Sequence, residues 1–412
     1  MNQDDLLAFE LTPYDEFPVH QAPWPVSYIP ASDMSWDSGY YFGVYNVAEG
    51  LFLITGLRIN PNTDMLGAHA SINMRGRQRT LRLSRVWRGN YAIEVGPLRY
   101  EFVEPLRKIR LTLAENGSGL SFDVLWEAAG PPHLSSHHRA VSRGRLTTDQ
   151  TRYNQVGRPS GFVKVDGQLH AIEPKSWSAC RDRSWGIYEP RLPVATLARW
   201  LPPRQQVGLR RALRFSCFFD TGEFSGHFHF HEGENGETTG LNDAFGTPFE
   251  GRLDFGFSGE QINFVSAEHR LEFRPGTRSM TCGSLLLTDE HGAVWRVDLD
   301  VPHMPHVLGQ VGYHPGAWKD GGTIHTYHGP GVVEEWDEFD FSQQPCPHTF
   351  PGTGETRTVF GVEHVARIRF MSPEGRTFDG SSQIEIFLNG RYAPYGFEDQ
   401  NEAGGLTGRG IA

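Results

Sequence analysis

Four cysteines in 412 residues (Cys180, Cys217, Cys282, Cys346), none in Cys-x-x-Cys spacing, supply no disulfide framework and no thiolate zinc site. They read as reduced thiols, so a cytoplasmic protein is expected. Basic residues are outnumbered: 38 Lys and Arg against 49 Asp and Glu give a formal net charge of −11, the wrong sign for a nucleic-acid binder. No apolar run approaches the roughly 18 residues that cross a bilayer, so no membrane span is expected. Met1-Asn2-Gln3-Asp4-Asp5 shows neither the positive start nor the apolar run of a secretory signal. A phosphate-binding Gly loop and a Gly-x-Ser-x-Gly elbow are also lacking. Helical periodicity is scarce as well. One stretch, 192–214, spaces Leu192, Leu197, Leu201, Leu209 and Leu213 among arginines, and Pro202-Pro203 divides it.

What is abundant points to strands. Aromatic residues make up 12% of the chain, with 47 Gly and 27 Pro to punctuate it. After a Pro- and Asp-rich arm (1–37), apolar and polar residues alternate through Ile109–Leu113 and Leu120–Trp126. That period of two marks half-buried strands. Turn signals such as Asp166-Gly167 and Asn235-Gly236 fall between such runs. The pattern predicts an all-β protein: two lipocalin-like antiparallel β-barrels or sandwiches side by side, with one short helical excursion near 192–214. The expected units are 1–160 and 161–412, and the excursion is a candidate lid.

Three segments carry candidate chemistry. Arg181-Asp182-Arg183-Ser184-Trp185-Gly186 holds a carboxylate between two guanidinium groups beside aromatic rings, including Trp177 upstream and Tyr188 downstream. Such an Asp is a firm hydrogen-bond acceptor. Gly226-His227-Phe228-His229-Phe230-His231 alternates strictly, so a strand sends three imidazoles to one face. That face suits acid–base work, a polar cavity wall or, with a ligand from another strand, a metal. Asp220 ends a strand ahead of Thr221-Gly222, and His328 precedes the acidic run Glu334–Glu338. Asp182, Asp220, His229 and His328 are therefore the candidate catalytic residues. Trp177, Arg181, Arg183, Trp185, Tyr188 and His227 are the candidate substrate-binding ones.

At Arg181–Gly186 the chain resembles the superfamily of hydroxyneurosporene synthase, a carotenoid hydratase, and the AttH-like proteins, which carry Asp-His-x-Trp-Gly at a comparable place. Tocopherol cyclase is a more distant cousin. A bacterial branch of that superfamily is more similar still. It has stretches like Pro61–Asp64, Arg75–Gln78, Val95–Leu98, Val103–Leu106, Arg152–Gly157 and Cys180–Gly186, within about residues 55–190. The resemblance implies two lipocalin-like barrels and a cofactor-free hydratase, dehydratase or cyclase. Such an enzyme protonates a double bond of a hydrophobic isoprenoid or aromatic molecule inside a barrel cavity. Asp182 and Trp185 match the motif, and Asp220 is a loose match to a downstream acid. Arg183 stands where the hydratases have His and cannot serve as a proton donor. Two alternatives remain at this stage: a non-catalytic binder of a hydrophobic ligand, and a metal-assisted enzyme using His227, His229 and His231.

Overall fold

The computed structural model describes residues 29, 31–87, 92–135, 137–142, 144–188, 211–238, 249–343, 346–359 and 361–398. Most of the expected arm and of the helical excursion lie outside these residues. Arg211–Arg214, expected at the end of the helical stretch, instead begin the strand Arg211–Asp220. The strand wins there because Leu213 and the residues after it alternate with period two, which places Leu213, Phe215, Cys217 and Phe219 in a core.

The architecture is all-β: two large antiparallel sheets and a small two-stranded one, Cys346–Thr349 with Thr356–Val359. The first has fourteen strands and is curled. Its central order is Arg77–Val86, Met65–Met74, Leu51–Asn60, Trp36–Asn46, Ser178–Tyr188, Arg145–Val165 and Leu120–Ala128. Asp166 (φ 49) and Gly167 (φ 83) turn the chain from Arg145–Val165 into Gln168–Ile172, the positive-φ pair that a tight two-residue hairpin needs. The expected unit boundary at 160 falls inside the strand Arg145–Val165, and the first sheet continues to Tyr188.

The second sheet is a closed eight-stranded barrel: Arg211–Asp220, Ser225–Gly233, Phe249–Asp254, Gln261–Phe273, Met280–Asp289, Val294–Asp300, Glu363–Met371 and Thr377–Leu388. Between Asp300 and Glu363 the chain leaves the barrel, and Val333–Asp340 pairs with Arg77–Val86 at the edge of the first sheet. Arg82, fully buried, reaches both Glu335 and Asp337 on that strand, and Arg79 reaches Glu338 and Asp166.

The barrel interior is filled with rings. Phe219 packs on Phe370 at 4.6 Å and Phe224 on Phe378 at 5.0 Å, with Phe228 alongside Phe215 and Phe219. Polar side chains of Arg211–Asp220 and Ser225–Gly233 therefore face outward, toward the first sheet. The central strands of the first sheet are buried on both sides as a result: one face holds the core around Phe42, Tyr100 and Trp126, while Tyr45, Phe52 and Ile54 of the other pack with Val365 of the barrel. This explains why every residue of Leu51–Asn60 is buried. Among the described residues, no helix is long and apolar enough to cross a membrane.

Phe228 and His229 are adjacent but lie on opposite sides of the barrel wall. Phe228→Ala is expected to cost ~3–5 kcal/mol in chemical denaturation and His229→Ala less than about half of that. Equal losses would mean that the wall is oriented differently.

Candidate active site

Strand alternation and register build the site. On the barrel, Arg214, Ser216 and Phe218 lie beside His231, His229 and His227 on one side and beside Phe387, Glu385 and Gln383 on the other. This three-by-three grid covers the outer wall. Facing it from the first sheet is a row in which Asp182 sits between Tyr41 and Asn154 on neighbouring strands. Between the two walls lies a cavity of about 160 Å³, to which the 301–332 segment adds Tyr313, His314 and His325. The cavity expected in a barrel lumen is thus found outside the barrel, because the lumen is occupied by phenylalanines. Its lining mixes rings (Tyr41, Phe218, Tyr313, Phe387) with charged groups (Arg58, Arg152, Asp182, Glu363).

Gln383 holds the centre. Its amide nitrogen donates to the Tyr41 hydroxyl at 2.7 Å and to Glu363 Oε2 at 2.9 Å, and its oxygen accepts from Cys180 Sγ at 3.0 Å. Gly43 makes this reach possible, since a Cβ there would sit 1.9 Å from Gln383 Oε1. Burial pushes the Glu363 carboxyl up from its ordinary 4.5 to about 7, against the lowering effect of the Gln383 hydrogen bond and the Arg214 charge, with Asp182 adding a small further rise. At neutral pH this group can both give and take a proton. Asp182 Oδ1 is buried, and no described residue donates a hydrogen bond to it. Arg58, also on the wall, pairs with the buried Asp37 at 3.1 Å, and burial still raises Asp37 to about 6.

The sequence-predicted residues divide between places. Asp182, Tyr188 and His229 line the cavity. Arg181, Arg183 and Trp185 do not, because they occupy alternate positions of the same strand and point to its other face. There Arg181 stacks over Trp126 at 4.7 Å, and Arg183 over Tyr40 at 4.3 Å and Trp185 at 5.3 Å. Asp182 and Trp185, three residues apart, cannot share a wall. Trp177 is buried in the first core. Asp220 is held by Arg158 through two hydrogen bonds (2.9 and 3.1 Å) and caps Gly222 N–H, which is a structural tie between the sheets. His328 is stacked on Trp318 at 3.8 Å and bonded to Asp320, away from the cavity lining.

Burial holds His229 down to about 4 and His138 to about 3, so these imidazoles are neutral at pH 7 and are not acids there. His227 stands next to the cavity, against His133 at 4.4 Å between ring centroids. Sequence reading missed Tyr41, Glu363 and Gln383. The polar–apolar alternation Gln383-Ile384-Glu385-Ile386 was the available signal for the last of these.

The chain belongs to the family of unknown function DUF8625, whose profile matches residues 11–398. No curated protein matches it. Among solved structures it is similar to kievitone hydratase from Nectria haematococca, at 9% identity over 85% of this chain and 88% of that one, with a TM-score of 0.41. It is also similar to CghA with Sch210972 (7% identity, the same coverages, TM-score 0.46) and to CghA alone (8%, TM-score 0.44).

The raised Glu363 carboxyl fixes a pH dependence. Below pH 4.5 it is protonated in both folded and unfolded chains. Between 4.5 and about 7 the unfolded chain releases the proton and the folded one keeps it, so stability falls as pH rises and then levels off. Relative to Glu363→Gln, the wild type should lose roughly 3 kcal/mol across that window in urea unfolding. Parallel profiles would contradict the burial of an ionisable group there.

Proposed function

We propose that this DUF8625 member is a cofactor-free acid–base enzyme of the hydratase, dehydratase or cyclase type, acting on a double bond of a small aromatic or isoprenoid molecule that carries polar oxygens. The observation that carries this reading is a carboxyl poised near neutral pH, Glu363, in one cavity with a second carboxylate, Asp182. Paired carboxyl groups in unlike environments divide into donor and acceptor roles.

In the hydration direction, Glu363 gives its proton to one alkene carbon and the positive charge develops on the other. The faces of Tyr41, Tyr313, Phe218 or Phe387 suit such a cation. Water adds to it and loses its proton to Asp182, whose buried Oδ1 needs a donor. Dehydration is the reverse. Gln383 positions Glu363 and Tyr41 rather than reacting. The motif resemblance at Arg181–Gly186 supports this reading through Asp182 alone, since Trp185 lies on the other face. The polar lining narrows the expected greasy ligand to one with oxygens to match Arg58 and Asp182.

The test is to screen alkenes, aromatic alkenes and terpenoid alcohols in heavy water for deuterium incorporation at carbon. Wild type should exchange one of them, with the rate falling as pH rises through about 7. Glu363→Gln should slow exchange by ~10²–10⁴-fold, the usual contribution of a positioned acid. Asp182→Asn should slow it too, while Asp220→Asn should leave it unchanged. Undiminished exchange in both Glu363→Gln and Asp182→Asn would overturn the assignment.

A further inference from the structure

Beside the cavity, at the seam between the two sheets, His133, His227 and Glu250 bring ligand atoms within 4.8 Å of one another. His133 lies on the two-residue strand His133–Leu134, paired with Arg145–Val165 of the first sheet. His227 and Glu250 lie on the neighbouring barrel strands Ser225–Gly233 and Phe249–Asp254. We propose that these three side chains form a divalent transition-metal site, of the kind zinc takes, that staples the first sheet to the barrel.

Three observations carry it. First, imidazole nitrogens of the cluster are buried without hydrogen bonds. His227 is 4% exposed and its Nε2 has no hydrogen bond, and neither ring nitrogen of His133 has one. Buried polar groups left so destabilise the fold, a cost that a shared cation removes. Second, the spacing fits. His133 Nε2 lies 3.6 Å from Glu250 Oε2, close to the about 3.4 Å between ligand atoms around a tetrahedral zinc with bonds of about 2.0–2.1 Å. Third, the charges suit a cation: two imidazoles and one carboxylate, with the nearby Arg252 already paired to Asp254 at 3.0 Å. Two His and one Glu from the protein is the ligand count of a site that keeps a fourth position open. His229 Nε2 lies 3.8 Å from the same Glu250 oxygen and also lines the cavity, so site and cavity share a wall. The His227/His229/His231 ladder expected from sequence contributes His227 to the cluster, and the other two ligands, His133 and Glu250, come from other strands.

The site does not rest on the acid–base reading. Its test uses the full chain, stripped with chelator and then titrated with Zn(II) and separately with Co(II). One equivalent should bind, Co(II) should show the intense visible absorption of a tetrahedral centre, and Zn(II) should raise the thermal midpoint. His133→Ala, checked for folding by circular dichroism, should lose both the absorption and the Zn(II)-dependent stabilisation. The affinity loss should exceed the ~10–100-fold that removing an outer-shell partner costs. Glu250→Gln should do the same, whereas Glu363→Gln should bind metal as wild type does, which separates failure of this site from failure of the catalytic reading. Wild-type chain that holds well under one equivalent after dialysis, or His133→Ala and Glu250→Gln variants that bind as wild type does, would overturn the proposal.

Discussion

A strand gives only every second side chain to a given face, and this constraint governs the molecule. On the barrel strands it turns Phe215, Phe219 and Phe228 inward, which fills the lumen and puts Arg214, Ser216 and the three histidines outside. An outer wall so polar and so buried needs a partner, and the back of the first sheet supplies one. The cavity is the space left where the two walls fail to interdigitate. Its chemistry is therefore assembled from two sheets, and no single strand carries it.

That origin explains the electrostatics. Groups on a buried sheet-to-sheet seam lose water without gaining the full set of partners that a compact core would provide. Asp37 remains beside Arg58 and is still pushed up to about 6, while Glu363 keeps one hydrogen bond from Gln383 and is pushed up to about 7. Histidines on the same seam are driven toward the neutral form. One cause, desolvation, thus yields a carboxyl that can act as an acid and holds His138 and His229 in the neutral form.

The sequence made the fold class legible because alternation is a local signal. Ile109–Leu113 and Leu120–Trp126 announce half-buried strands on their own, and Asp166-Gly167 announces its hairpin. The His ladder's face was legible for the same reason. What escaped was everything set by pairing at long range. Glu363 and Gln383 matter only because their strand neighbours bring them opposite Tyr41, more than three hundred residues away. The cluster Arg181–Trp185 misled in the other direction: closeness along a strand placed Asp182 and Trp185 on opposite faces, where closeness along a helix or loop would not have done so. Asp220 read as an acid but is tied to Arg158, a partner that only the docking of the two sheets reveals.

The central claim is that Glu363 carries a proton at neutral pH in the seam between the sheets, and isotope-edited infrared spectroscopy of glutamate-labelled protein tests it most directly. The account predicts one protonated carboxyl band that persists to neutral pH, titrates near 7, and is missing from Glu363→Gln. If every labelled carboxyl has lost its proton by about pH 6, as ordinary glutamates do, the account is wrong.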